Sequence, residues 1–542
     1  MDRYERLDLA AHRIVFGPIP QLSATALIEM CEHVELRGRG GAAFPVGRKL
    51  RAVVDRTTER RRAAVVVNGT ESEPGSAKDT ALLARSPYLV LDGAVLVARA
   101  LQATDIVVAV TGDLQAESVA DAVASDAALS RLVRVVRVPD RFVSGEGGAL
   151  INAINGQPAL PPGTKVLPSD SGVRGRPTML SNAETFAQLA VLARLGPAGY
   201  SSTGLESEPG TVLLTVGGSV AETTVVETPT GVPLGHVLDI CRAEPARAVL
   251  VGGYHGMWIS PEVAYDLPVS RGGLAAGGGT LGAGVVLVLG MNTCPLGEVS
   301  RVAAYMASQS SGQCGPCARG LPAVARSLAM LAAGSGGAHE LEAARRTAAG
   351  VRGRGACAHP NGTANFVGSA LDVFADDVAE HMFRGTCGER AAGIMPLGDA
   401  AADARLQVDW ARCDGHGLCS RLAPELIKLD ADGYPEILDV AVPFWLSRHA
   451  AQAVDMCPAL ALTLTKPATP SAARPTPARA VPLAITGPAG PPQRRPRQLT
   501  DRNTADRGEL PTLTGRAMRR ADLDTASAWL SEIGGYRRAI ED

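Results

Sequence analysis

The stretch Glu35-Leu36-Arg37-Gly38-Arg39-Gly40-Gly41-Ala42-Ala43-Phe44-Pro45-Val46-Gly47-Arg48-Lys49 governs how the rest of the chain is read. Four glycines fall within ten residues, with arginines and a lysine among and beside them. Glycine lets backbone amides crowd against a ligand, and Arg and Lys add donors for phosphate. Two readings stand: a phosphate cradle, or a flexible glycine loop. No Gly-Lys-Ser/Thr follows, which excludes the P-loop, and no strand precedes, which excludes the dinucleotide fingerprint. Ser23 as N-cap, with Leu27, Met30, Cys31 and Val34 at helical spacing, predicts a helix that delivers the chain into the loop.

Downstream, 63–67 reads as a β-branched strand ending in the polar loop Asn68-Gly69-Thr70-Glu71-Ser72-Glu73-Pro74-Gly75. Ligands of open α/β sheets bind at such strand ends. A helix near 87–101, a strand over 105–110, a helix near 116–128 and a strand over 132–138 continue the alternation of a βα-layered domain. Two further turns, Phe142 to Leu150 and Arg174 to Thr185, open helices. Helix N-termini gathered this way can converge on one anionic ligand. Strand-like runs at 211–218, 223–228, 249–253 and 283–290 predict a small β-rich module with a structural or interface role. From Leu296 the periodicity turns helical, with helices expected at Val302 to Met306, 321–332, 341–349 and 366–382, a bundle pattern.

The chain of 542 residues is long enough for several domains. Apolar residues make up 46% and aromatics only 4%, so Ala, Val and Leu must fill the cores. A net charge of −2 gives no global pull toward nucleic acid or an acidic membrane. The longest apolar runs are too short to span a bilayer, and the N-terminus leads into no signal-peptide pattern. A soluble cytoplasmic protein is expected. Its ten cysteines then suit metal ligation better than disulfides. Cys314 and Cys317 form a C-x2-C between helices, and Cys357 supplies a later thiol. Such a set fits an iron–sulfur cluster, a structural zinc, or unliganded buried thiols. A second set lies in a small unit over 406–466: Cys413 and Cys419 bracket a glycine loop, and Cys457 precedes a proline. His416 stands midway, where a four-thiolate site would place Cys. Three thiolates fit a [3Fe-4S] cluster, with a zinc site using His416 as the alternative. After Lys466 the chain becomes rich in Pro, Ala and Arg and reads as a disordered linker. A terminal amphipathic stripe of Met518, Ala526, Trp529, Leu530 and Ile533 follows it.

Residues 20–385 resemble the FMN-carrying, NADH-oxidising subunit of respiratory complex I, a subunit type that also occurs in NAD-linked hydrogenases and formate dehydrogenases. The matching stretches are 36–49, 68–78, 145–150, 175–185, 314–320 and 355–360, in the family's order. Residues 406–466 resemble a single-cluster [3Fe-4S] ferredoxin. The resemblance implies an α/β multidomain chain. Its parts would be a Rossmann-like FMN domain (1–205), a β-grasp-like module (206–292), a four-helix iron–sulfur bundle (293–392), a small α+β ferredoxin domain (403–466) and a disordered tail with a terminal helix (467–542).

FMN contacts carried over from the family fall on Gly38, Arg39, Gly40, Gly41, Lys49, Asn68, Glu71, Glu146, Ser181, Asn182 and Thr185. Phe44 and Glu73 match positions that hold the nicotinamide nucleotide. The cluster ligands would be Cys314, Cys317 and Cys357 in the bundle, for a [4Fe-4S] or [3Fe-4S] cluster, and Cys413, Cys419 and Cys457 in the ferredoxin. The chain departs from the family at several points. Thr70 replaces an Asp, Ser181 an Asn and Gly147 a Glu, while Ala52 and Leu167 replace aromatics and Ser311 replaces the first cluster Cys. Cys294 and Cys387 are potential substitutes for that Cys. The implied function is electron transfer from a reduced nicotinamide, NAD(H), through FMN and iron–sulfur clusters to a redox protein or further subunit. Nucleic acid is not an expected partner, and peripheral membrane docking is compatible with the sequence. Hydride transfer needs no general acid or base, so no catalytic proton shuttle is named. Two alternatives accompany this reading: an FMN and iron–sulfur relay that binds no NAD(H), and a non-catalytic scaffold subunit.

Overall fold

The structure, a computed structural model, describes residues 6–164, 166–397, 405–424, 426–437, 442 and 447–465. The expected linker and the terminal amphipathic stripe lie outside the described residues. Four parallel strands form the first sheet, in the spatial order Val133–Arg137, Ile106–Val110, Ala64–Gly69, Thr178–Asn182. The first three run backward through the chain, and the last returns to the opposite side of Ala64–Gly69. The winding therefore reverses between Ala64–Gly69 and Thr178–Asn182. Such a reversal opens a crevice at the carboxyl ends of the two strands.

The Thr178–Asn182 strand lies inside a stretch expected only as a turn opening a helix. Its five residues carry no telling alternation. They become a strand because their backbone pairs with Ala64 to Asn68, more than a hundred residues away. The helix expected there does follow, as Ala183–Tyr200 with Asn182 as its N-cap. One face of the sheet, with Val65, Val67 and Val108, packs into the core that includes helices Pro87–Ala100 and Ala183–Tyr200. The other face, with Val66 and Val107, meets Leu150 and Ile151 of helix Gly147–Ile154. Burial on both faces explains why these strands read as continuous apolar runs.

A second sheet has the order Met257–Ile259, Ala246–Val251, Val285–Gly290, Thr211–Gly218, Thr224–Pro229. Val285–Gly290 and Thr211–Gly218 are parallel and the other neighbours antiparallel. Successive residues point to opposite faces. Val285, Leu287 and Leu289 join the core of the helical region, while Val286 and Val288 pack with Leu234 and Leu238 of helix Leu234–Ile240. The expected interface role of this module thus has a physical basis: one sheet serves two cores.

The helical region contains Pro295–Ser308, Leu321–Ala332, Ala338–Val351, His359–Val373 and Ala375–Arg384. The single helix expected over 366–382 is two helices. They break at Phe374 (φ −103°, ψ 31°), whose ring is buried with Trp258, ring centroids 5.2 Å apart. Periodicity on either side of one buried aromatic does not reveal such a break. The last unit pairs Arg405–Val408 with Leu462–Thr465 and Ile427–Leu429 with Pro435–Ile437, both antiparallel. Its own core includes Leu406, Ala423, Ile427, Ala450, Ala453 and Leu462. Among the described residues no single helix is long and apolar enough to cross a membrane.

Candidate functional site

The glycine stretch lies over the crevice that the strand order predicts. Gly38 N–H donates to the Phe44 carbonyl (3.0 Å) and closes the loop, which then feeds helix Val46–Val54. Arg39 N–H donates to Thr185 Oγ1 (2.9 Å), in the first turn of the helix that follows Thr178–Asn182. Arg271 donates to the Gly38 carbonyl (2.9 Å) from the second-sheet side. The loop is therefore tied down, which answers the choice between a cradle and a floppy glycine run. Among the described residues the amides of Gly40, Gly41 and Ala42 have no acceptor within the chain. Three consecutive free amides make an anion nest. A Cβ added at Gly41 would meet nothing within 4 Å, and one at Gly40 would approach only Asn182 Cβ, at 3.7 Å. Neither residue has a positive φ. The chain's own packing does not require glycine at either position, whereas a phosphate-bearing ligand approaching the amides does. The donor set and the open face fit a flavin mononucleotide.

Asn68 and Asn182 end their strands as direct register partners. Asn68 Nδ2 donates to the Gly145 carbonyl (3.0 Å), which draws the second glycine turn to the crevice, and Thr70 N–H donates to Asn68 Oδ1 (3.1 Å). Thr70 thus orients Asn68 through a local turn. Ser181 is buried beside Val67 in the same register. Lys49 donates to the Leu180 carbonyl (2.9 Å), and burial lowers its pKa. Glu71 accepts the Asp79 and Thr80 amides at 3.0 and 2.7 Å and so caps helix Lys78–Arg85, while Glu146 caps Gly147–Ile154 through Ala149 N–H (2.9 Å). Glu73 accepts the Tyr254 amide (2.5 Å), and burial pushes its carboxyl up to about 7. Phe44 is 46% exposed at the rim, with the Arg48 guanidinium 5.8 Å from its ring centroid.

The Arg39 side chain does not face the nest. It is buried, donates to the Thr211 carbonyl (2.9 Å) and lies 3.7 Å from Glu184. It belongs to a charge network that sequence reasoning missed. Lys78, 1% exposed, reaches Asp79 (3.0 Å), Glu184 (2.9 Å) and Asn182 Oδ1 (2.9 Å). Burial pulls the Lys78 pKa down, but Asp79 and Glu184 more than offset it, so the ammonium stays charged. A buried charge persists only when its partners satisfy it in this way. Glu184 also accepts Leu213 N–H (3.0 Å) from the second sheet. The available signal is that Lys78 and Glu184 both sit inside the family-like stretches. Nothing in their local pattern separates a buried charge from a solvated one.

Cys314, Cys317 and Cys357 come together where the turn after helix Pro295–Ser308 meets the start of His359–Val373. Burial pushes the Cys317 thiol up to about 12, with Cys314 and Cys357 adding to the rise. Burial also raises Cys314, but the Cys317 and Ala356 amides pull it below its ordinary value. Amide donors of this kind tune a cluster's sulfurs. Burial raises Cys357, the His359 amide pulls it back, and the Glu146 carboxylate pushes it up again. The Glu146 carboxylate, carried on the turn that opens helix Gly147–Ile154, is thus near enough to act electrostatically on Cys357. Ser311 is buried, in the turn beyond the C-terminus of helix Pro295–Ser308. Cys294 caps the other end of that helix, and fourteen residues of helix rise about 21 Å. Cys294 and Cys387 therefore do not substitute for the missing cysteine.

Among the described residues, Cys294, His381 and Cys387 are the trio whose ligand atoms all lie within 4.8 Å of one another. In the last unit, Gly415 (φ 68°) and Gly417 (φ 67°) adopt the left-handed conformation that curls the loop between Cys413 and Cys419, and His416 between them is exposed.

An α/β unit with an anion-accepting crevice, joined to two units that each carry one of the three-cysteine sets, is what this fold and these sites define. Residues 31–191 match the Nuo51 FMN-binding domain, 298–381 the NADH-ubiquinone oxidoreductase-F iron–sulfur binding region, and 406–464 a 4Fe-4S single cluster domain. The chain is similar to a subunit of the NADH-quinone oxidoreductase of Streptomyces coelicolor, 28% identical over 374 residues, 66% of this chain and 83% of the relative. It is also similar to the corresponding NADH-quinone oxidoreductase subunit of Rhizobium meliloti, 26% identical over 395 residues, covering 69% and 93%. Among solved structures, a chain of an NAD+-reducing [NiFe]-hydrogenase in the H2-reduced state superposes with a TM-score of 0.60 and 27% identity. That match covers 66% of this chain and spans 62% of the hydrogenase chain's length.

Proposed function

We propose that this chain is an electron-transfer subunit that takes electrons from NADH and passes them through FMN and iron–sulfur clusters to a protein acceptor. The observation that carries this reading is the convergence of the Gly40–Ala42 amide nest with the register partners Asn68 and Asn182, at the crevice onto which Asn68 draws the turn that carries Glu146. FMN, when bound, would supply the change from hydride to single-electron transfer. The chain's residues hold and orient. The Gly40–Ala42 amides bind the phosphate. Asn68, Asn182 and Glu71 fix the crevice walls, and Lys49 and Glu146 border it. Phe44 and Glu73 lie on the nucleotide side. Cys314, Cys317 and Cys357 hold one cluster, and Cys413, Cys419 and Cys457 hold a three-iron cluster. The corresponding parts are a Rossmann-like domain over 1–205, a β-grasp-like module over 206–292, a cluster bundle over 293–392 and a ferredoxin domain over 403–466. A redox protein or a further subunit is the acceptor.

Anaerobic titration of flavin-replete protein with NADH and, separately, NADPH tests the reading. Bleaching of the flavin band by NADH is expected. No bleaching by either nucleotide would favour a relay without a nicotinamide site. Protein lacking both flavin and iron would favour a scaffold.

A further inference from the structure

We propose that Cys294, His381 and Cys387 form a mononuclear zinc site, separate from both cluster sites. Their three ligand atoms lie within 4.8 Å of one another, and Cys294 Sγ is 3.2 Å from His381 Nε2. Zinc bonds to sulfur and nitrogen at the tetrahedral angle would set that pair about 3.6 Å apart. The trio is therefore within a small adjustment of metal-binding geometry. The Cys387 sulfur lies within 4.8 Å of both the Cys294 sulfur and the imidazole. The Glu389 carbonyl, 4.0 Å from Cys387 Sγ, or a water can take the fourth position.

The surroundings suit a thiolate–imidazole site. Cys294 caps helix Pro295–Ser308, and Gly297 N–H donates to its sulfur at 3.2 Å. A helix N-terminus stabilises a thiolate. His381 is 3% exposed, in the last turn of helix Ala375–Arg384. Its Nε2 faces the Cys294 sulfur, while its Nδ1 is buried and makes no hydrogen bond within the chain. The site also has a mechanical role. The strap after Gly385 is held to the same helix end: Cys294 N–H donates to the Arg390 carbonyl (3.1 Å), and Glu298, fully buried, accepts the amides of Gly393 and Met395 at 2.5 and 3.2 Å. Zinc would staple this strap, which leads toward the ferredoxin unit, to the cluster bundle.

Elemental analysis of the full-length protein, made in zinc-supplemented medium, tests the site. One zinc per chain is expected, lost in Cys387→Ser and in His381→Asn while iron and flavin contents stay unchanged. Cys357→Ser should show the reverse, retaining zinc and losing the iron of the bundle cluster alone. Cobalt substitution supplies a readout independent of content: thiolate-to-cobalt charge transfer and tetrahedral d–d bands in the wild type, absent in Cys387→Ser. Wild-type protein with no zinc and no cobalt bands overturns the proposal. So does zinc that survives Cys387→Ser but disappears in Cys357→Ser, because the metal would then occupy the cluster cysteines.

Discussion

For the proposed flavin site, Gly40 and Gly41 matter through the side chains they lack. Gly40→Val places a branched side chain over the amide nest, while its Cβ approaches only Asn182 Cβ. Flavin affinity should fall at least tenfold, about 1.4 kcal/mol. Flavin absorbance per chain after purification, checked against an unchanged circular dichroism spectrum, measures it. Full flavin in that variant would show that the phosphate sits elsewhere. Glu73 gives a second prediction at this scale. Its carboxyl titrates near pH 7 in the fold, raised by burial, against about 4.3 in an unfolded chain. A raised carboxyl stabilises the fold only while protonated. Its contribution is complete below pH 4.3 and is lost as pH rises through 7, a loss of order 1–3 kcal/mol. Glu73→Gln keeps an acceptor for the Tyr254 amide, so its unfolding midpoint should exceed that of the wild type at pH 8, with the difference gone at pH 4. Parallel midpoint–pH curves for the two proteins would contradict this.

Among the elements, helices Pro87–Ala100 and Ala183–Tyr200 cross in close backbone contact beneath the first sheet. A Cβ at Gly93 would lie 1.8 Å from the Phe186 carbonyl oxygen, and a backbone atom cannot step aside as a flexible side chain can. Gly93→Ala should cost about 1–3 kcal/mol by overpacking, read as a lower denaturant midpoint. Helix Ala183–Tyr200, which Gly93 packs against, has Asn182 as its N-cap and Thr185 in its first turn, so flavin affinity should fall as well. The loop between Cys413 and Cys419 makes a further prediction. With three thiols available and His416 exposed between Cys413 and Cys419, oxidised full-length protein should give a three-iron EPR signal. His416→Ala should keep that signal and Cys457→Ser should abolish it. Elsewhere local pattern succeeded at this scale, with Leu321–Ala332 and Thr211–Gly218 found at their expected bounds. It failed at Thr178–Asn182 and at Phe374, where distant pairing and one buried aromatic decide the backbone.

The whole molecule is organised by the junction between the flavin crevice and the cluster bundle. Phe142, at the turn leading to Glu146, packs against His255 and His359 with ring centroids 4.9 and 5.4 Å apart. Burial holds both histidines far below their ordinary pKa, near 3 and 4, so both are neutral. His359 Nε2–H must donate to the Met306 carbonyl (2.8 Å), leaving Nδ1 to accept from His255 Nε2–H (3.1 Å). Flavin-side turn, second sheet and bundle are thus locked at the point nearest Cys357. Cys357→Ser should leave flavin bleaching by NADH intact but stop reduction of the ferredoxin cluster. Anaerobic mixing followed by freeze-quench EPR would read this as an oxidised three-iron signal that persists in the variant and disappears in the wild type. Ferredoxin reduction at the wild-type rate would mean that electrons bypass the bundle.

By itself the sequence determined the order of the parts, the glycine loop, both cysteine sets and the family they resemble. Each of these is written in local spacing, which the backbone enforces over a few residues. Tertiary structure alone decided where Thr178–Asn182 pairs, and so where the winding reverses and the crevice opens. It also turned the Arg39 side chain inward, buried Lys78 and Glu184 as partners 106 positions apart, and brought Cys294, His381 and Cys387 together. Those outcomes come from burial and from long-range pairing of hydrogen bonds and charges, which have no local pattern to read.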